Sequence, residues 1–219
     1  MNRADIVPFF NALRQANPAP VTELEYTSVF ELLVAVLLSA QATDVSVNRA
    51  TGRLFPIADT PQRMLALGSD ALIERIRSIG LYRTKAANLL ATCRLLIERH
   101  AGQVPRSREA LEALPGVGRK TANVVLNVAF GEETFAVDTH VLRVANRTGL
   151  APGKTPLEVE AQLSRHVPQP FRRDAHHWLI LHGRYVCLAR RPRCGGCAVA
   201  LWCDHVQAAD AAAAGQELA

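Results

Sequence analysis

Apolar residues recur along the chain at helical spacing, and the alternation of a β-strand is nearly absent. Residues 3 to 16 predict a short amphipathic helix with Ile6, Phe9, Phe10 and Leu13 on one face, ended by the linker Asn17-Pro18-Ala19-Pro20. Val29 to Ala40 is too apolar for a surface helix and predicts the buried centre of a domain. It runs into the polar cluster Ser39-Ala40-Gln41-Ala42-Thr43-Asp44, where Thr43 or Asp44 caps a helix over Val45 to Leu54. Thr60-Pro61 opens a further helix by the cap-then-proline signal, and Ser69 or Asp70 opens the next, through Ile79. Helices are also expected over 107–114, from Thr121 to Phe130, and from Val137 to Thr148 with Asp138 at or near its start. Two more follow over 156–166, begun by Thr155-Pro156, and over 173–186. From about Gln207 the chain is alanine-rich without an apolar face, and residues 206–219 are expected to fray. The fold class is all-α.

One stretch interrupts this pattern in a way that invites chemistry: Leu114-Pro115-Gly116-Val117-Gly118-Arg119-Lys120-Thr121-Ala122-Asn123. Pro115 cannot continue the preceding helix, and Gly116 and Gly118 free the backbone for a tight turn. A glycine turn at a helix start leaves the N–H groups of residues 116 to 118 pointing outward, able to hold a phosphate. An ordinary helical corner is the alternative. Residues 78 to 90 echo it faintly, with Gly80, Arg83, Lys85 and Ala87-Asn88 in a similar order. They predict a second corner, with chance similarity as the rival.

Composition narrows the partners. At 219 residues the chain can bury one large core or two modest ones, and 49% apolar with only 5% aromatic residues suits packed helices better than a β-sandwich. A net charge of +5 suggests a polyanionic partner, although many soluble proteins match it. Lys85, Lys120 and Lys154 are the only lysines among 25 basic residues. Lysine, unlike arginine, can become a neutral amine nucleophile, so a lysine beside the glycine turn matters. The run Val29 to Ala42 is interrupted by Glu31 and Gln41 and is too short to span a bilayer, which with no secretory signal predicts the cytoplasm. Five cysteines in a cytosolic chain are not expected to form a disulfide framework.

Four of those cysteines, Cys187, Cys194, Cys197 and Cys203, lie within seventeen residues in a C-x6-C-x2-C-x5-C pattern. Four thiolates this close predict a metal centre. Structural zinc usually shows two C-x2-C pairs, whereas one such pair flanked by single cysteines is closer to the ligation of a [4Fe–4S] cluster, with zinc as the alternative. Cys93 stands alone on an apolar helix face and reads as a buried core thiol. Between the first two cysteines Arg190, Arg191 and Arg193 occur without an acid, and Arg184 lies just before. Such a loop fits either phosphate contact or a solvated basic surface. His176, His177 and His182 share one helix and are expected at its surface or in packing rather than as ligands, because four cysteines already complete a cluster.

The Leu114–Lys120 turn, Val137-Asp138-Thr139-His140, Leu38-Ser39-Ala40-Gln41-Ala42-Thr43-Asp44 and the cysteine spacing, in this set, resemble the endonuclease III family. These are the bacterial DNA glycosylase/AP lyases of the helix–hairpin–helix superfamily. The resemblance covers about residues 3 to 205. It implies two helical domains with a DNA cleft between them. One is a six-helix barrel over 21–132, with its helix–hairpin–helix at about 107–130; the other is a cluster domain built from 1–20 and 133–205. It implies removal of oxidised pyrimidines from double-stranded DNA and cleavage at the abasic site, by a monomer in the bacterial cytoplasm at the nucleoid.

By the same resemblance Lys120 is the nucleophile, Asp138 the catalytic carboxylate, and Cys187, Cys194, Cys197 and Cys203 the [4Fe–4S] ligands. Gln41 and Leu81 fill the stack that a flipped base vacates; their alternatives are a helix-end polar residue and a core leucine. Gly116, Val117, Gly118, Arg119, Thr121, His140, Arg143, Arg184, Arg190, Arg191 and Arg193 are the expected DNA contacts. Lys120 must attack as a neutral amine, since a protonated one has no lone pair to give. Asp138 can stabilise positive charge on the sugar, assist proton transfer, or simply cap its helix. An adenine-mismatch glycosylase also carries a cluster but lacks the hairpin lysine. A non-catalytic DNA-binding iron–sulfur protein is the alternative from another class.

Overall fold

The computed structural model describes residues 1–217, with side chains described to residue 213. Among the described residues there is no strand. The helices are α1 (Ile6–Ala16), α2 (Val29–Leu38), α3 (Asp44–Leu54), α4 (Pro61–Leu67), α5 (Ser69–Ile76), α6 (Tyr82–His100), α7 (Arg108–Glu112), α8 (Arg119–Phe130), α9 (Thr139–Thr148), α10 (Pro156–His166), α11 (Arg172–Tyr185) and α12 (Asp204–Glu217). They form two compact units: Thr22–Glu132, and Met1–Val21 with Glu133–Ala219.

The unit of residues 22–132 is built around α2, buried on every side as its unbroken apolar run requires. Its start is satisfied in both directions. Ser28 Oγ accepts from the Glu31 amide at 3.1 Å, and the buried Glu31 carboxylate accepts from the Thr27 amide at 2.6 Å. Helices α3, α6 and α8 pack on α2, while α4 and α5 pack on α6 and α7 pairs with α8. Thr43, Thr60 and Ser107 cap α3, α4 and α7 through their side-chain oxygens. Helix α5 departs from expectation. It is entered through Gly68 (φ 77°), not through a Ser69 or Asp70 cap, because one residue alone separates it from α4, and it ends at Ile76.

In the other unit α1 packs against α11, so the first helix of the chain completes a core made mostly of the last hundred residues. Phe10 stacks on Phe171 at 5.4 Å between ring centroids, and Trp178 Nε1 donates to the Asn17 carbonyl at 2.8 Å. Helices α10, α11 and α12 pack on α9. Gly183 on α11 permits a close approach: a Cβ there would lie 2.8 Å from His140 Cβ on α9. From 206 onward, where fraying is expected, the described chain is helical. Helix α12 continues to Glu217, as a run of alanines, the strongest helix former, allows even without an apolar face; Leu218 and Ala219 lie outside the described residues.

Candidate functional site

The glycine turn joins α7 to α8. Leu111, Leu114 and Val117 point into the core and fix its underside. Gly116 has φ +78°, the left-handed region that favours glycine, and a Cβ there would meet Asn88 Nδ2 of α6 at 2.8 Å. Thr92 Oγ1, a turn further along α6, donates to the Pro115 carbonyl at 3.1 Å. Arg108 Nε donates to Asn123 Oδ1 at 3.0 Å and ties α7 to α8. One expectation is corrected here. The Val117 amide donates to the Leu114 carbonyl at 3.0 Å, so it closes the turn instead of pointing outward. The first intrahelical bond of α8 runs from the Ala122 amide to the Gly118 carbonyl, so the amides before it lie in the first turn, where donors have no partner within the helix. Lys120, second residue of α8, is exposed, as are Gly116, Gly118 and Arg119, with Thr121 half-buried.

Gln41 and Leu81 belong to the same unit. Both are exposed and both adopt left-handed backbone (φ 55° and 58°), which only Ala101 shares among the described non-glycine residues. Leu81 is 61% exposed, so it is not a core leucine.

In the other unit Asp138 is the N-cap of α9, its Oδ1 accepting from the His140 and Val141 amides at 2.9 Å each. Arg143 is spent internally: Nε donates to the Cys187 carbonyl at 2.8 Å, and one terminal nitrogen donates to the Gly183 carbonyl at 2.7 Å and lies 3.2 Å from His140 Nδ1. Arg147, which the sequence did not single out, donates to the Leu188 and Ala189 carbonyls at 2.7 Å each and lies 3.6 Å from Cys187 Sγ. Two arginines one helical turn apart therefore clamp the start of the cysteine loop to α9. Their i, i+4 spacing was the signal available.

The Arg193 amide donates to the Val186 carbonyl at 3.0 Å and closes the loop, leaving Arg190, Arg191 and Arg193 exposed and Arg184 half-buried. Cys187, Cys194, Cys197 and Cys203 line one cavity of about 320 Å³, its solvent-open mouth included, together with Arg147, His182 and Val199. Burial pushes the Cys197 thiol up, the other three cysteines add to this, and a hydrogen bond from the Val199 backbone opposes it. The three histidines of α11 are buried, not at its surface. His182 lies 3.6 Å from Cys197 Sγ, and burial drives its pKa down to about 4, so it stands neutral beside the sulfurs. Cys93 is fully buried in the core, as expected. Among the described residues no group of three or more His, Cys, Asp or Glu side chains converges tightly enough for one metal ion. The four thiols around this one cavity are of the residue type that holds a metal centre.

A helical chain with a glycine hairpin, a lysine on the next helix and a cysteine loop defines a class. Residues 34–169 match the HhH-GPD superfamily of base-excision DNA repair proteins. The chain is 58% identical over 210 residues to endonuclease III of Escherichia coli (strain K12), covering 96% of this chain and 100% of that one. It is 58% identical to endonuclease III of Haemophilus influenzae, covering 94% and 97%. The solved structure of a trapped endonuclease III–DNA covalent intermediate superposes with a TM-score of 0.89 at 43% identity, covering 95% and 99%. A non-covalent endonuclease III–DNA complex does so with 0.89 at 42%, covering 95% and 98%. The chain belongs to the endonuclease III family, the bifunctional DNA glycosylases and AP lyases of base-excision repair. No helix among the described residues is long and apolar enough to cross a membrane.

Proposed function

We propose that the protein removes oxidised pyrimidines from double-stranded DNA, with Lys120 as nucleophile and Asp138 as the catalytic carboxylate. The observation that carries this reading is Lys120 itself, exposed in the first turn of a helix that follows a glycine hairpin. The damaged nucleotide leaves the stack, because its C1′ is out of reach within the duplex. Gln41 and Leu81 take the vacated space. The Nζ lone pair attacks C1′ as the glycosidic bond breaks, and the base leaves with the bonding electrons. Proton loss from the amine and opening of the sugar give a Schiff base. Removal of a C2′ proton expels the 3′ phosphate by β-elimination, and water then releases Lys120. Asp138 stabilises the positive charge that develops on the sugar or moves a proton. That an endonuclease III has been trapped covalently on DNA supports the covalent step.

Gly116, Gly118, Arg119 and Thr121 hold backbone phosphate through the hairpin and the start of α8, with Val117 as the buried anchor of the turn. His140 and the loop arginines Arg184, Arg190, Arg191 and Arg193 supply further contacts. For Arg143, its bonds to Gly183 and Cys187 favour a loop-positioning role over a phosphate contact. In this reading residues 22–132 form the helix–hairpin–helix domain and the other unit is the cluster domain. A [4Fe–4S] cluster on the four cysteines is structural and staples the arginine loop. The enzyme works as a monomer on nucleoid DNA in the bacterial cytoplasm.

Duplexes carrying single oxidised pyrimidines test the substrate class. Release of the free damaged base is expected, with undamaged duplexes untouched; absence of release from every oxidised pyrimidine would refute it. An iron content of about four per chain is expected for one such cluster, and a colourless zinc protein would overturn the cofactor.

A further inference from the structure

Helix α6 carries a polar stripe whose connections run to three turns. Lys85, Asn88 and Thr92 are spaced three and four residues apart, which puts them on one face of the helix. Leu81 is its N-cap, in left-handed backbone. Lys85 is buried to 5% exposure, and its ammonium donates to the carbonyls of Leu38 at 2.9 Å and Ala40 at 2.6 Å. Those carbonyls lie at the C-terminal end of α2, where the helix carries partial negative charge, and immediately before Gln41. The Lys85 amide in turn donates to the Leu81 carbonyl at 3.0 Å. The two turns abut, since a Cβ on Gly80 would lie 3.9 Å from the Gln41 carbonyl oxygen. Asn88 packs beneath Gly116, and Thr92 bonds the Pro115 carbonyl.

Left-handed backbone at a non-glycine residue persists only where its surroundings over-determine it. Gln41 and Leu81 point outward, so the neighbours that hold them lie on the backbone side, and Lys85 bonds to both segments there. We infer that Lys85 is a positioning residue for strand opening: it locks the Gln41 turn to the start of α6, fixing the spacing of the two inserting side chains. Asn88 and Thr92 extend the same tie to the phosphate-gripping hairpin. The inference rests on the insertion role given above to Gln41 and Leu81.

The test is a comparison of two substrates under single turnover. One is a duplex with a paired lesion, which must be opened; the other is a single strand with a preformed abasic site, which needs no opening. Lys85→Met is expected to lower base excision from the duplex by about tenfold or more and cleavage of the single strand by no more than about threefold, since misplacement of the inserting groups acts on the opening step. Leu81→Ala should show the same split, and adding Lys85→Met to it should cost little more. Equal losses on both substrates, or no loss, would overturn the proposal. If Leu81→Ala and Gln41→Ala leave duplex excision intact, the insertion role itself fails. If they impair it and Lys85→Met does not, only the positioning role fails. Should Lys85→Met not fold, Lys85→Gln, which fills the same space and reaches fewer carbonyls, takes its place. If neither folds, Lys85 serves folding and the proposal falls.

Discussion

Asp138 caps a helix and is proposed as the catalytic carboxylate, two duties that mutation separates. Its Oδ1 caps α9 by accepting two amides. Asparagine caps about as well as aspartate, so Asp138→Asn should keep thermal stability to within about 1 kcal/mol while base release collapses. A parallel loss of stability and release would reduce Asp138 to a cap. Cys93 illustrates linkage in a buried thiol. Burial pushes it up to about 12 from an ordinary value of 9.0, ahead of the smaller opposing effect of Arg94. A raised pKa means that the folded chain keeps a proton which the unfolded chain releases. This stabilisation is full below pH 9.0 and is lost as the pH climbs toward 12. The stability difference between the wild type and Cys93→Ala, measured by denaturant unfolding, should therefore narrow above pH 9.0; a constant difference would show that the thiol is not shielded.

At the scale of elements, the caps written into the sequence at Thr43, Thr60, Ser107 and Thr155 all start helices. Local hydrogen bonding sets these boundaries, and local sequence encodes it. What escaped the sequence is carried by contacts between distant residues. Lys85 reaches carbonyls 45 and 47 residues away, and Arg143 and Arg147 reach a loop about forty residues on. The left-handed positions themselves are Gln41 and Leu81, not glycines, so residue type does not announce their backbone. The contact of α9 with α11 at Gly183 yields a prediction of its own. A methyl group there falls 2.8 Å from His140 Cβ and 3.1 Å from its carbonyl oxygen. Gly183→Ala should cost about 1–3 kcal/mol by overpacking, read as a lower melting temperature, and an unchanged melting temperature would mean that the two helices part easily.

For the whole molecule, the all-helical class, the hairpin and the cysteine cluster were legible because each is a sequence pattern with few physical solutions. Glycines at 116 and 118, a lysine at 120 and four cysteines at metal-ligand spacing each constrain chemistry more than composition does. The discontinuous unit, in which α1 joins the C-terminal helices, follows from the aromatic faces of Phe10, Phe171 and Trp178, and nothing local in the first twenty residues specifies their partners. The central claim is that Lys120 forms the covalent bond to DNA, and borohydride reduction during reaction with an abasic duplex tests it most directly. The account predicts a stable protein–DNA adduct from the wild type and none from Lys120→Ala; no adduct from the wild type, or one that survives in Lys120→Ala, would contradict it.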